Sequence, residues 1–123
     1  MNSLAIDFGT KRIGLAYSIS NIIFTLPMVK NDDKIFIKLK QIILENNISQ
    51  VYVGLSEGKI SEMTKKFIEK LSDMIKLPIE TVEEAVSTIE ADNLFLENKK
   101  KQKTYQKEID SMAAAIILNR VIN

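Results

Sequence analysis

The stretch LAIDFGTKRIGLAYS, residues 4–18, decides the fold. It begins with a short apolar run that stops at Asp7, passes through a glycine-bearing turn, and continues into a segment where Ile13, Leu15 and Tyr17 alternate with other residues. Apolar residues that recur with a period of two are typical of a β-strand. The link between the two runs is too short for a crossover helix, so the spacing predicts two antiparallel neighbours.

The rest of the chain predicts a third strand and then alternating helices and strands. Apolar residues at intervals of three and four predict helices, and short continuous apolar runs predict buried strands. The predicted elements are a strand at 22–26, a helix from Asp32, a strand at 51–55, a helix over 60–75, a strand at 77–82, a helix over 88–97 and a last helix from about Glu108. This order predicts an α/β fold with a five-stranded mixed sheet, three antiparallel strands followed by alternating helices and strands, flanked by helices. Since no linker or repeat interrupts it, we expect a single domain over residues 1–123.

The composition excludes whole classes of chemistry. The chain has 17 Lys and Arg against 16 Asp and Glu, and it contains no His, Cys or Trp. The absence of Cys excludes disulfides, thiolate metal sites and cysteine nucleophiles. The absence of His excludes Ser-His-Asp triads, imidazole bases and histidine metal sites. The formal charge of +1 gives no bulk attraction to nucleic acid or membranes, so such a partner needs a local patch.

No targeting or membrane segment is visible in the sequence. The N-terminal apolar run reaches Asp7 too early for a signal peptide. No stretch approaches the roughly 20 apolar residues of a membrane span. We therefore expect a cytoplasmic protein with no membrane partner.

Four acidic residues lie near the predicted ends of apolar elements, where sites collect in α/β sheets. Asp7 ends the first apolar run, and Glu83 and Glu84 follow the run that stops at Val82. Asp110 lies in the first turn of the last predicted helix. Each acid alone also suits a structural role as a turn residue, a strand end or a surface charge. Acids brought together from separate elements would suit Mg²⁺ or Mn²⁺, which prefer oxygen ligands and need no His.

Two basic segments accompany these acids. Lys11 and Arg12 follow Asp7 closely, and residues 99–107 come immediately before the last helix. The second segment contains five lysines, Lys99, Lys100, Lys101, Lys103 and Lys107. Both segments are candidates for binding nucleic-acid phosphates. The alternatives are a solvated loop at 99–107 and an exposed partner for a strand acid at Arg12.

Four motifs, in order, resemble those of the YqgF/RuvX family, whose members are described as Holliday junction resolvases and as pre-16S rRNA nucleases. They are AIDFGTKRIGLA at 5–16, VYVGL at 51–55, EEAVSTIEA at 83–91 and IDSMAAAIIL at 109–118. The resemblance spans nearly the whole chain and implies an RNase H-like fold. It also implies that three acids are catalytic and bind metal: Asp7, Glu84 and Asp110.

The activity that this resemblance implies is hydrolysis of phosphodiester bonds in structured nucleic acid, with one or two Mg²⁺ or Mn²⁺ ions. The implied substrate is the 5′ end of precursor 16S ribosomal RNA, with branched DNA as an alternative and ribosomal particles as further partners. A Holliday junction resolvase is the second candidate, and it would need a homodimer because it cuts both strands of a symmetric junction. We therefore expect either a monomer or a homodimer.

The turn at 7–10 also resembles the phosphate-contacting turn of the actin–hexokinase ATPases, but those enzymes close two such domains around ATP.

Three departures from the family pattern keep a non-catalytic alternative open. The Arg of the family's DER triplet is Ala85 here, so that position cannot make a bidentate phosphate contact. The Pro that follows the VGL strand is Ser56, and the loop Ser56–Lys59 is shorter than in the family. A nucleic-acid-binding or ribosome-binding protein with a weakened site is therefore the non-enzymatic alternative.

Overall fold

A mixed β-sheet forms the centre of the protein, whose computed structural model describes residues 1–55, 62–83 and 111–122, with only the backbone of Glu83. The strands are β1 (Asn2–Asp7), β2 (Arg12–Ile19), β3 (Ile22–Thr25), β4 (Val29–Lys30), β5 (Ile48–Leu55) and β6 (Ile79–Glu83). They lie in the order β3–β2–β1–β5–β6. β4 pairs with residues 12–13 of β2, whereas β3 pairs with residues 16–19 of that strand. β1, β2 and β3 are antiparallel neighbours, whereas β1, β5 and β6 run parallel. The predicted mixed sheet is confirmed, and the two-residue β4 is an addition to the five predicted strands.

Helices cover both faces of this sheet. α1 (Ile35–Glu45) and α2 (Glu62–Met74) pack on one face, and α3 (Met112–Ile122) packs on the other. α1 begins three residues later than predicted, because the Asp32 carboxylate accepts the N–H of Lys34 (3.0 Å) in a turn ahead of the helix. The predicted helix at 88–97 lies outside the described residues. None of the helices in the described ranges has the length and apolar character needed to cross a membrane.

The two faces of the sheet are built from residues of different size. Large apolar side chains face α1 and α2, and they are completely buried, as at Leu4, Ile6 and Leu15. The α3 face of the central strands carries small residues instead: Ser3, Ala5, Gly14, Ala16 and Ser18. Small residues allow α3, whose Ala114 and Ala115 are fully buried, to approach the sheet closely. This close approach brings the start of α3 to the candidate site.

The β2–β3 hairpin uses a two-residue turn with both central residues in the left-handed region. Ser20 has φ 52° and Asn21 has φ 67°, between the paired residues Ile19 and Ile22. Two positive φ values in a two-residue loop are typical of a type I′ turn, which matches the twist of the strands.

Replacing Ser20 by Gly is expected to raise the free energy of unfolding by about 0.5 kcal/mol, because a left-handed conformation disfavours L side chains. Urea unfolding measures the change. Ser72→Gly is the matched control: Ser72 is an exposed residue inside α2, and there Gly should instead lower stability by about 0.5–1 kcal/mol. Equal losses in both variants would contradict the assigned turn.

Candidate active site

Asp7 lies at the carboxyl end of the central strand β1, between two glycines. Its partners in the sheet are Gly14 on β2 and Gly54 on β5. Paired residues of adjacent strands project toward the same face, so no side chain flanks the Asp7 carboxylate in its own row. Asp7 is half-buried. Neither sheet neighbour therefore has a side chain that could cover or bind this carboxylate.

The Asp7 carboxylate is on the α3 side of the sheet, where no described residue binds it. Alternation along β1 puts it on the same face as Ala5, which packs in the α3 cluster. Within the described residues it forms no hydrogen bond and no ion pair. A half-buried carboxylate without a partner is a suitable oxygen ligand for a hard cation. In the described ranges no group of three metal-ligating side chains meets, and two of the predicted acids lie outside those ranges.

Ser111 fixes the start of α3 to the segment after β3. Both its backbone N–H and its hydroxyl donate to the carbonyl oxygen of Leu26, at 3.1 and 2.7 Å. Its own carbonyl accepts the N–H of Ala115 (3.1 Å), the first intrahelical bond of α3. Ser111 is only 1% exposed. These bonds set both the position and the direction of the helix N-terminus.

Gly14 is the point where Asp7, Ser111 and Met28 meet. A Cβ atom on Gly14 would lie 3.4 Å from Cβ of Asp7, 3.3 Å from Cβ of Ser111 and 3.3 Å from Sδ of Met28. A side chain at this position would crowd all three neighbours, so the glycine is needed for space. The first residue before α3 is therefore adjacent to the end of β1.

The sequence interpretation did not include Gly14, Met28 or Ser111 in the site. A glycine inside a strand pattern is a signal of close approach by another segment. That signal is present in residues 12–18, but it does not identify the segment that approaches.

The row of residues that contains Asp7 continues across β5 into β6. Gly54 pairs with Val82, and Leu55 pairs with Glu83, the last residue of β6. Val82 packs against the α3 cluster, so it shares the face of Asp7. Because β1, β5 and β6 are parallel, their carboxyl ends meet at one edge of the sheet, with neighbouring strands about 4.8 Å apart.

The turn that follows Asp7 is held in one shape. A Cβ atom on Gly9 would collide with the carbonyl oxygen of Arg12. Asn31 binds both sides of the turn: its side-chain amide donates to the carbonyl of Gly9 (2.8 Å) and its backbone N–H to that of Lys11 (2.9 Å). Lys11 and Arg12 are both exposed at this edge. The structure thus places Asp7, Lys11 and Arg12 at the same end of the sheet.

The other predicted site residues lie outside the described residues. They are Glu84, Asp110, Lys99, Lys100, Lys101, Lys103 and Lys107. Ala85 and the segment 56–59, which carry the departures from the family pattern, also lie outside them.

Removing the Ser111 hydroxyl is expected to lower the free energy of unfolding by about 1 kcal/mol, because a buried hydrogen bond to the Leu26 carbonyl is lost. Ser49→Ala is the control, since Ser49 donates to the carbonyl of Asn2 (3.2 Å) in an exposed position. Chemical denaturation of both variants measures the difference. A Ser111→Ala variant as stable as Ser49→Ala would show that this bond does not anchor α3.

Comparison with known proteins shows the family and the fold of this chain. The family model "RuvX: Holliday junction resolvase" matches residues 1–123. Relatives that carry the name "Putative pre-16S rRNA nuclease" occur in Sulfurihydrogenibium sp. (strain YO3AOP1) and Dictyoglomus turgidum. The first is 34% identical, covering 98% of this chain and 88% of its own length. The second is 32% identical, covering 100% and 94%.

Solved structures with the same fold include two resolvases. Thermus thermophilus RuvC superposes with a TM-score of 0.68 at 11% identity, over 98% of this chain and 93% of its own. The Fowlpox virus resolvase in complex with Holliday junction DNA has a TM-score of 0.61 at 15% identity, over 99% and 96%. These likenesses confirm the expected RNase H-like fold, and the family match confirms the resemblance found in the sequence. The chain belongs to the RuvX family.

Proposed function

We propose that this protein is a metal-dependent nuclease that hydrolyses phosphodiester bonds in structured nucleic acid, and that its substrate is precursor 16S ribosomal RNA. The observation that carries the proposal is the convergence of Asp7 and Ser111 on Gly14 at the carboxyl edge of the sheet. The relatives named as pre-16S rRNA nucleases match over nearly their whole length, and their names support precursor 16S rRNA as the substrate. The family match over residues 1–123 also supports a single domain. A cytoplasmic location stays a prediction.

The position of Ser111 supports Asp110 as a second acid of the site. Asp110 directly precedes Ser111 in the chain, and consecutive Cα atoms are about 3.8 Å apart. Cβ of Ser111 and Cβ of Asp7 both lie within 3.4 Å of the same point above Gly14. This contact of Ser111, the neighbour of Asp110 in the sequence, supports assigning Asp110 to the same site as Asp7. The N-terminal end of a helix also favours an ionised carboxylate.

The register of β6 supports Glu84, rather than Glu83, as the third acid. Positions along a strand alternate between the two faces of a sheet. Val82 shares the face of Asp7, and positions two apart along a strand share a face. If the strand pattern extends by one residue, Glu84 belongs to the face that carries Asp7.

In this proposal Asp7, Glu84 and Asp110 would hold one or two Mg²⁺ or Mn²⁺ ions, which take oxygen ligands. The Asp7 carboxylate, which lies between two glycines and has no partner among the described residues, agrees with this role. When bound, such a cation would supply water activation and charge neutralisation at the phosphate. The acids themselves fix the position of the reacting phosphate relative to the sheet.

The exposed cations of the site bind the nucleic-acid backbone in this proposal. Lys11 and Arg12 lie at the edge where Asp7 ends β1. The lysines of 99–107 precede Asp110 in the sequence and are assigned the same role. Phosphate contacts of this kind provide affinity and orientation, and they weaken as the salt concentration rises.

The direct test is cleavage of precursor 16S rRNA by the purified protein in the presence of Mn²⁺, with the 5′ ends of the products mapped. We expect a product with the mature 5′ end, and no product when a chelator removes the divalent ions. Absence of cleavage under conditions where the protein is folded and binds the RNA would overturn the proposal.

Binding of Mn²⁺ separates an enzyme from a non-catalytic binding protein. At ten times its Kd, a ligand that binds only the folded state stabilises it by about 1.4 kcal/mol. We expect Mn²⁺ to raise the Tm of the wild-type protein and to leave that of Asp7→Asn almost unchanged. A wild-type Tm that does not respond to Mn²⁺ would favour the binding protein.

Junction resolution is the second candidate, favoured by the description of the matching family. A symmetric four-way junction requires two active sites, so this activity predicts a homodimer. The same protein is incubated with a four-way DNA junction and analysed by sizing chromatography. Paired symmetric cuts by a dimer, without rRNA cleavage, would replace the rRNA proposal.

A further inference from the structure

Two cationic residues lie directly opposite each other where β2 pairs with β4. Arg12 is the register partner of Lys30, and Ile13 is the partner of Val29. The Asn31 N–H donates to the carbonyl of Lys11 (2.9 Å), so the adjacent pair Lys11–Asn31 is a hydrogen-bonded pair. Hydrogen-bonded and non-hydrogen-bonded pairs alternate along an antiparallel ladder. The two residues are therefore a non-hydrogen-bonded pair, in which the Cα atoms are only about 4.5 Å apart and the side chains are close.

This arrangement is unfavourable for the free protein. Like charges directly opposite each other destabilise a sheet. Arg12 and Lys30 are both exposed, and neither forms an ion pair within the described ranges. The nearby Asp32 accepts the N–H of Lys34 with its carboxylate. Two cations side by side that have no ion pair among the described residues are a suitable site for an anion.

The cation pair is on the face of the sheet that carries the candidate active site. Ile13 is buried in the core on the α1 and α2 side, and Val29 packs against the same core. Since residues alternate along each strand, Arg12 and Lys30 belong to the opposite face. That is the face covered by α3, on which Asp7 lies.

The pair is also next to Asp7 within that face. Gly14 is the partner of Asp7, and Arg12 is two positions from Gly14 along β2. Diagonal neighbours of this kind have Cβ atoms about 7–8 Å apart. A phosphate held by Arg12 and Lys30 would therefore belong to the same strand of nucleic acid as the bond that is cleaved beside Asp7.

We propose that Arg12 and Lys30 together bind one phosphate of the substrate strand, adjacent to the phosphate that reacts at Asp7. This inference rests on the proposed nuclease function and adds Lys30 to the residues that contact substrate. The Arg guanidinium offers paired donors for a phosphate, and the Lys ammonium adds a compact charge. The bound phosphate removes the repulsion between the two cations, so the pair is costly in the free protein and favourable in the complex.

Reversing the charge of Lys30 tests this inference by two effects of opposite sign. Lys30→Glu would face Arg12 with an opposite charge, so we expect a higher Tm at low salt. The same variant should bind more weakly, by about tenfold or more, to a fluorescein-labelled RNA stem with a single-stranded 5′ extension. Lys30→Gln should lower the slope of log affinity against log salt by about 1. Binding is measured by anisotropy with EDTA present, so that no cleavage takes place.

Lys76→Glu is the matched control, because Lys76 is an exposed lysine that follows α2 and lines a surface cleft with Ile48 at the opposite edge of the sheet. We expect its affinity to stay within about twofold of the wild type. If Lys30→Glu binds the RNA as tightly as the wild type does, the phosphate site is overturned and the nuclease proposal still stands. A wild-type protein that does not bind the RNA would overturn both.

Discussion

Replacing Asp7 by Asn is expected to lower the rate of precursor rRNA cleavage by about 10³-fold or more at saturating Mn²⁺. In the proposed mechanism the bound cation would lower the free energy of the transition state by several kcal/mol, and it would need charged ligands to do so. The amide has nearly the same size as the carboxylate, and no described residue bonds to the carboxylate. The fold should therefore be unchanged. If the proposed site holds three acids together, removing one of them should also leave the stability of the metal-free protein equal or slightly higher.

The matched control for Asp7→Asn is Asp33→Asn, which removes the same charge from an exposed position before α1. We expect cleavage by the control to stay within about twofold of the wild type, since salt screens the charge of an exposed residue such as Asp33. Single-turnover cleavage, with circular dichroism to verify folding, measures both variants. An Asp7→Asn variant that cleaves at the control's rate would remove Asp7 from the proposed mechanism.

Replacing Gly14 by Val is expected to reduce cleavage by about 100-fold, because displacement of a catalytic group by about 1 Å has an effect of this size. The first carbon of the new side chain would already lie 3.3–3.4 Å from Asp7, Ser111 and Met28, and the branched methyl groups add to the crowding. Either the Asp7 carboxylate or the start of α3 has to move. Overpacking of this kind should also lower the free energy of unfolding by about 1–3 kcal/mol.

Two further variants separate crowding at the site from loss of stability. Gly14→Ala should give an intermediate loss of cleavage, because its single methyl needs shifts of only a few tenths of an ångström. Ile43→Val removes a buried methyl from the α1 core and should lower stability by about 0.5–1.5 kcal/mol with cleavage unchanged. Cleavage by Gly14→Val equal to that of Ile43→Val would show that Gly14 does not position the site.

The antiparallel pairing of β1, β2 and β3 was predictable from the sequence because its signals are local. Ile13, Leu15 and Tyr17 alternate within one strand, and the short links on either side leave antiparallel pairing as the only option. Asp7 was predictable for the same reason, since it closes an apolar run. The structure differs only slightly by making Asp7 the last residue of the strand itself.

The assembly of the site was not predictable in the same way. Ser111 bonds to Leu26 across 85 positions of the chain, and no local pattern in either segment identifies its partner. Lys30 was missed because β4 has only two residues, which is too short to show a period. Its importance comes from the register with Arg12, a property of the folded sheet alone. Asp110 was predicted from its place in the first turn of the last predicted helix and then from the family motif, but the contact that supports it is the one made by its neighbour Ser111.

The bond between Ser111 and Leu26 has a consequence for protein synthesis. The β1–β2–β3 meander depends on contacts between neighbouring segments, which form quickly, whereas docking of α3 has to close a long loop first. A ribosome makes Asp7 almost at the start of translation and α3 more than a hundred codons later. A growing chain therefore carries its first acid for most of its synthesis without the helix that completes the site. In the proposed nuclease, the site would therefore be complete only after residues 111–122 have left the exit tunnel and packed on the sheet.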